Sequence, residues 1–463
     1  MSQTASLTEK SAVEPADGLP VPRRYWAHLA VGLAVMMSTI DGSIANVALP
    51  TIAEKLHTSP AASIWVVNAY QLSVCMSLLI LGSLGDIYGY QRVYRICLTL
   101  FTIASLGCAL SDSLVGLAVA RFAQGIGGAG VIGVTNAMLR GIYPRSQLAS
   151  GIGRNTLIVA VSLALGPTVA SFILSIASWP WLFAVNVPIG VFTLLIAGRT
   201  LPAFPVGSHK FDWRSAGLSA LTFGLLVLGI DGLGHGQASA GIALEIVVAI
   251  GAGIILIRRQ TSIASPLLPV DLLRIRLFTL SVSTTFLASM AQLMAYVAIP
   301  FLFEHALGRN QIETGYLITP WPVMVGLIAP VAGRLSGRIS PGALAAGGLL
   351  ILAAGLTLVG LLPADASTAE IVVCMLLSGL GYGIFLPPNA STQIGAVPRQ
   401  RSGGASTMGA TGRVFGQSIG AAMVAALFGI RPQDGAGLAL MVAAGIAVFG
   451  AVISVLRTGS RPA

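Results

Sequence analysis

The chain has 463 residues, of which 55% are hydrophobic and only 9% charged, and its mean hydropathy is +0.85. So little polar surface cannot cover a soluble globule of this length, which excludes the soluble classes and leaves an all-α polytopic membrane protein. The net charge of +10 is spread over short loops between apolar runs, the pattern of topology signals, so no nucleic-acid partner is expected.

Residues 1–25 form a polar, proline-containing N-terminal tail that ends in Arg23 and Arg24, and the apolar run behind it is too long for a cleaved signal peptide. Fourteen apolar runs follow, near 26–49, 64–84, 96–111, 114–138, 155–177, 181–200, 214–233, 240–257, 278–303, 314–333, 341–362, 370–390, 403–429 and 436–456. Each is close to the length a helix needs to cross a bilayer. With the N-terminus inside, the inner loops and tails hold 21 of the 26 lysines and arginines, and the outer loops hold only Lys55, Arg309 and Arg431. That bias predicts both termini on the cytoplasmic side.

The basic, proline-bearing stretches 201–215 and 258–276 divide the spans into six, two and six. The expected organisation is a six-helix bundle over 26–200, a linker region 201–276 with two inserted helices, a second six-helix bundle over 277–457 and a short tail 458–463. Such repeated halves are the build of secondary transporters.

The first span carries Asp41 at hydrocarbon depth with no cation beside it in sequence. A carboxylate there costs about 2.5–3.5 kcal/mol unless it faces a cavity, finds a partner, holds a proton or snorkels to the surface. The second span aligns Trp65, Asn68, Gln71 and Cys75, and its inner end reads Gly82-x-Leu84-x-Asp86-x-x-Gly89-x-x-Arg92. There the glycines allow close approach and a tight turn, and Asp86 can cap a helix or pair with Arg92 or Arg95, a cluster able to latch one conformation. The fourth span holds Arg121 and Gln124 on one face with Gly128 and Thr135, and Arg121 is the plausible counter-ion of Asp41, directly or through water. Gly166-Pro167 in the fifth span admits a neighbour closely and bends the helix. Ser289, Gln292 and Tyr296 in the ninth span, with Arg413 and Gln417 one turn apart in the thirteenth, complete a set suited either to a cavity for an amphipathic ligand or to helix–helix adhesion. Cys75, Cys97, Cys108 and Cys374 lie inside apolar runs, without a zinc or disulfide spacing, and no His, Cys or carboxylate constellation points to an enzyme, a metal or a cofactor.

Together these motifs resemble the fourteen-helix drug:proton antiporters of the major facilitator superfamily, including the methyl viologen and quaternary-ammonium exporters. The carriers are Asp41-x-x-x-x-Asn46-Val47-Ala48-Leu49-Pro50, the Gly82–Arg92 motif, Arg121-x-x-Gln124-Gly125, Gly166-Pro167, the run from Trp179 to Gly190 and Phe211-Asp212-Trp213. The resemblance implies a major facilitator fold and proton-coupled export of hydrophobic, often cationic drugs across a prokaryotic inner membrane. It further implies proton coupling at Asp41 and Arg121, a Gly82, Asp86, Gly89 and Arg92 latch, and an antiport segment at Gly166-Pro167. The substrate cavity is expected to involve Trp65, Asn68, Gln71, Gln124, Gln292, Tyr296, Arg413 and Gln417, the coupling ion to be a proton, and the chain to act as a monomer in the lipid bilayer. The sequence departs from the quaternary-ammonium exporters in having no deep carboxylate in spans ten and thirteen and in carrying Arg413 instead. A neutral or anionic metabolite, moved by an exporter or facilitator, is therefore the alternative substrate.

Overall fold

The computed structural model describes residues 18–204, 211–234, 240–261, 268–398, 401–431 and 434–457. The tails 1–17 and 458–463 and the linker segments 205–210 and 262–267 lie outside the described residues. Among the described residues, fourteen helices are long and apolar enough to cross a membrane: α1 (Arg23–Lys55), α2 (Pro60–Tyr88), α3 (Tyr90–Ala109), α4 (Leu114–Ile142), α5 (Ser150–Ile176), α6 (Trp181–Thr200), α7 (Trp213–Ile230), α8 (Ala240–Gln260), α9 (Arg276–Ala306), α10 (Gln311–Leu335), α11 (Pro341–Gly360), α12 (Thr368–Gly395), α13 (Gly404–Ile430) and α14 (Gly435–Val455). Among the described residues there is no strand. An even number of crossings puts the start of α1 and the end of α14 at one end of the bundle, here the basal end; the other is the distal end.

Local chemistry sets the helix limits. Ser59, Ser113 and Ser340 each accept a backbone N–H three residues on, Asn310 accepts two, and Ser367 with Glu370 forms a reciprocal capping box. Gly89, at φ +89°, takes the left-handed turn between α2 and α3. The first helix begins earlier than hydropathy indicates, at Arg23, because its polar start is anchored: Arg23 donates to the Thr200 carbonyl at 2.9 Å and Arg24 to Gln147 at 2.8 Å. Residues 18–22 are not tail-like either, since the Leu19 amide donates to the Ile142 carbonyl at 3.0 Å. Prolines interrupt other spans. The ninth passes Pro300 into a single π turn over Leu302–Ala306, and the tenth breaks at Thr319 before Pro320.

Lipid supplies no hydrophobic drive for helices to associate, so close van der Waals approach through small residues takes its place. A methyl group added at Gly127 of α4 would stand 2.6 Å from the Phe101 amide nitrogen of α3, and one at Gly348 of α11 would stand 2.7 Å from the Gly381 carbonyl of α12. Helices α1–α6 pack chiefly among themselves, as do α9–α14.

The two groups meet along the distal end. There Ile44, Leu49 and Ile52 of α1, Met294 and Phe301 of α9, Trp321 of α10 and Phe428 of α13 belong to one continuous apolar core. Thr51 of α1 donates to Gln311 of α10 at 2.5 Å, and Thr168 of α5 shares a 2.8 Å hydrogen bond with Thr319 of α10.

Towards the basal end the two lateral seams differ. Between α2 and α13, Ser418 donates to the Gln71 carbonyl at 3.1 Å, and α7 packs over the join: Phe223 lies edge-on to Phe415 at 4.8 Å, and Val227 is buried with Leu72 and Ala422. Lower down, Leu79 of α2 shares a buried cluster with Leu256 of α8 and Phe278 and Met408 of the second group. Between α5 and α10 the contact thins. Leu157 and Val161, on the same face of α5 as Thr168, are 63% and 47% exposed, and Val323 and Leu327 of α10 are 40% and 68% exposed. The cleft between the halves therefore opens at the basal end and along one side.

Candidate functional site

Asp41, halfway along α1, is 1% exposed and faces α4 and α6 inside the first bundle instead of an open cavity. Its Oδ2 accepts from Arg121 Nη1 at 2.5 Å, and its Oδ1 accepts from Gln124 Nε2 at 2.9 Å and Asn186 Nδ2 at 2.8 Å. Every partner is an N–H donor, an arrangement that suits an ionised, acceptor-only carboxylate. Arg121 makes two further bonds: Nε donates to the Val66 carbonyl at 3.0 Å and Nη1 also reaches Gln124 Oε1 at 2.7 Å. Its guanidinium lies 4.3 Å from the Tyr70 ring centroid and 5.5 Å from that of Phe183. The aromatic faces help carry the charge where water is absent. Gln124 Nε2 also donates to Ser105 of α3 at 2.8 Å, so five helices converge on one ion pair.

The remaining expected residues fall in several places. Gln124, assigned to a cavity wall, is fully buried in the ion-pair cluster, because only there do both ends of its amide find partners. Asn68 is likewise 1% exposed. Trp65 is half-buried at the first turn of the main α2 helix, and Gln292 and Tyr296 are half-buried on α9, where Tyr296 stacks on Trp321 at 5.0 Å. Gln71 and Gln417 approach to 3.5 Å across the α2–α13 seam, and Arg413, one turn towards the basal end, is exposed. The expected ion pair of Asp86 with Arg92 or Arg95 is not among the described contacts; its carboxylate instead accepts from the Tyr90 hydroxyl, which α3 presents as soon as Gly89 has turned the chain. Gly82 has open space where a side chain would begin. Gly166 lies against Ser43 of α1, two residues beyond Asp41, and the Pro167 carbonyl would stand 2.8 Å from a methyl group added at Gly315 of α10. The Gly-Pro segment thus touches both the helix of the ion pair and the opposite bundle.

Two partners were absent from the sequence reading of the site. Asn186, seen only as part of the Trp179–Gly190 run, donates directly to Asp41, and Ser105 supports Gln124. A polar side chain in an apolar span was the available signal for each. A second buried cluster also went unread: Arg457, just past α14, is 3% exposed and donates to Asn389 of α12, Ser281 of α9 and Ser454, all neutral groups. No group of three or more metal-ligating side chains occurs among the described residues.

The Major Facilitator Superfamily family model matches residues 31–421 and 280–463. The chain is 51% identical over 446 residues to the uncharacterized transporter YebQ of Escherichia coli strain K12, covering 96% of this chain and 97% of that one. It is 29% identical to the riboflavin transporter RibZ of Clostridioides difficile strain 630, over 86% of this chain and 87% of RibZ. It is also 29% identical to the multidrug efflux pump LfrA of Mycolicibacterium smegmatis, over 88% and 81%. Among solved structures, a bacterial homologue of the human lysosomal transporter Spinster, inward-facing and occupied, superposes with a TM-score of 0.67 at 16% identity, covering 96% of this chain and 98% of that one. Fourteen apolar helices, two bundles around a cleft and a family match over most of the sequence place this chain in the Major Facilitator Superfamily, as a multi-pass membrane transporter and not an enzyme.

Proposed function

We propose that this transporter is a proton-coupled antiporter that exports hydrophobic, amphipathic compounds from the cytoplasm by alternating access. The observation that carries the reading is the Asp41–Arg121 pair, sealed beneath a closed distal end while the basal end stands open. The basic bias of the basal loops supports a cytoplasmic basal end, and the same reading takes the membrane to be a prokaryotic inner membrane and the chain to act as a monomer. In this inward-open state Arg121 is paired with Asp41. A proton arriving from outside when the distal end opens neutralises Asp41 and frees Arg121 from it, and the change of charge biases the equilibrium between the two states. The drug pump LfrA, among its relatives, supports the export of drugs.

Inside-out vesicles with an acid-inside gradient test this directly. Addition of a transported compound should release protons from vesicles bearing the wild type and not from those bearing Asp41→Asn. Equal proton release from both would sink the assignment. A second reading, a facilitator or exporter of an endogenous neutral or anionic metabolite, is favoured by the riboflavin transporter among its relatives. Downhill flux without proton movement would select a facilitator.

A further inference from the structure

Helix α13 shows where its polar stripe points. A residue advances 100° around a helix, so each contact fixes a direction. Gly416 and Gly420 lie against the Phe286 and Met290 carbonyls of α9, Gly412 against Val282 of the same helix, and Gly409 against Gln393 of α12. On the flank beyond, Phe415 meets Phe223 of α7; on the far side, Ser418 meets α2. Only one sector remains, between α12 and α2, and it holds Ser406, Arg413 and Gln417.

Accessibility agrees with that geometry. Ser406 and Arg413 are exposed and Gln417 is half-exposed, whereas Ala405, Met408, Thr411, Val414 and Ser418 on the other faces are buried. The stripe opens at the basal end and stops where Gln417 meets Gln71. It therefore lines the cleft between the bundles, with Arg413 about one turn on the basal side of the Gln71–Gln417 contact.

The charge there is unbalanced. Arg413 makes no ion pair or hydrogen bond among the described residues, although Tyr382 of α12 lies within reach of its charge. No described carboxylate faces it. Asp41 is spent on Arg121, Asp212 on Arg259 and Asp271 on Arg401; Asp86 is bonded to Tyr90 at the end of α2, Glu245 is on α8, and the other described carboxylates stand at the distal end. A cation at this depth costs about 2.5–3.5 kcal/mol and persists where water or a ligand answers it. The groove of about 440 Å³ lined by Val282, Phe286, Phe415 and Phe449 lies on the opposite flank of α13 and carries no charged side chain, so it does not compete for the role.

We propose that Arg413 is the charge-recognition point of the transport route, and that the compound carried bears an oxyanion, a carboxylate or phosphate, on a hydrophobic body. This rests on the transport reading and replaces a cationic cargo with an anionic one. A guanidinium suits the role because its fork pairs a carboxylate or phosphate through two parallel hydrogen bonds.

The test is counterflow in proteoliposomes of the purified full chain, which needs no proton gradient and so separates cargo recognition from coupling. The probes are 5-carboxyfluorescein and the lipophilic cation tetraphenylphosphonium. The wild type should exchange the carboxylate and not the cation; Arg413→Gln should lower carboxylate exchange at least tenfold, and Arg413→Lys should restore part of it. Exchange of the cation alone, no exchange of the carboxylate by the wild type, or equal carboxylate exchange by wild type and Arg413→Gln overturns the proposal. If Arg413→Gln does not elute as a folded species, the selectivity of the wild type decides. Carboxylate exchange that survives in Asp41→Asn while proton release is lost would leave both readings standing; proton release unchanged in that variant would remove the coupling reading alone.

Discussion

At the scale of single residues, the ion pair is demanding because each partner is buried only on account of the other. Removing Arg121 leaves an uncompensated carboxylate in a dry site, a loss of about 3–5 kcal/mol. Arg121→Ala should therefore lower the detergent-solubilised melting temperature sharply, and Asp41→Asn, which leaves the buried guanidinium without its counter-ion, should lower it as well. Arg121→Lys should not rescue it. A single ammonium cannot serve the Val66 carbonyl, Asp41 and Gln124 together from one planar fork. Asn186→Ala removes one donor to the carboxylate and should cost about 1–3 kcal/mol, measured in the same melt. Asp41 and Arg121 were legible from sequence because a charge in an apolar run is anomalous wherever it falls. Asn186 was less so, since an amide there serves equally as adhesion between helices, and only the convergence of α1, α4 and α6 distinguishes the two.

At the scale of helices, neighbouring glycines make opposite demands. Gly348 and Gly381 bring the α11 and α12 backbones into contact, whereas a methyl at Gly347 meets nothing within 4 Å. Gly348→Val should destabilise by about 1–3 kcal/mol or prevent folding, while Gly347→Ala should be neutral or slightly stabilising; yield and melting temperature of the pair check both. The entry to α7 offers a pH test. Burial alone would push the Asp212 carboxyl up, but hydrogen bonds from Arg259 and Ser215 outweigh it and hold it below the usual carboxylate range. A carboxyl depressed in the folded state stabilises above its unfolded pKa of about 3.9 and loses that contribution as pH falls through its folded value. Wild type should thus melt above Asp212→Asn at neutral pH, and the gap should close in acid below about pH 4. Span number and order were readable because twenty apolar residues have few other uses. The break at Thr319 and the π turn after Phe301 were not, since proline marks a disturbance without saying which form it takes.

At the scale of the whole molecule, the distal closure should come apart and re-form in each transport cycle. Thr168 and Thr319 face each other with hydroxyls 2.8 Å apart, one from each bundle, and all four native cysteines are buried. Thr168→Cys with Thr319→Cys should cross-link under mild oxidant and stop transport, and reductant should restore it; transport that continues through the cross-link would show that this seam does not move. The spacing of basic loops suggested two six-helix groups, but gave no sign of the seat of the inserted pair. Sequence shows that α7 and α8 are apolar and additional, and nothing in their composition tells which seam they cover.

That seat has a consequence for traffic. With α7 laid over the α2–α13 join and α8 reaching the buried cluster around Leu79, a molecule dissolved in the surrounding lipid meets a wall on that flank. On the other flank the bare faces of α5 and α10 leave a doorway at the level of the basal leaflet. The two added helices thus make the cleft one-sided among the described residues, with a spine at the α2–α13 join and a fore-edge at α5 and α10.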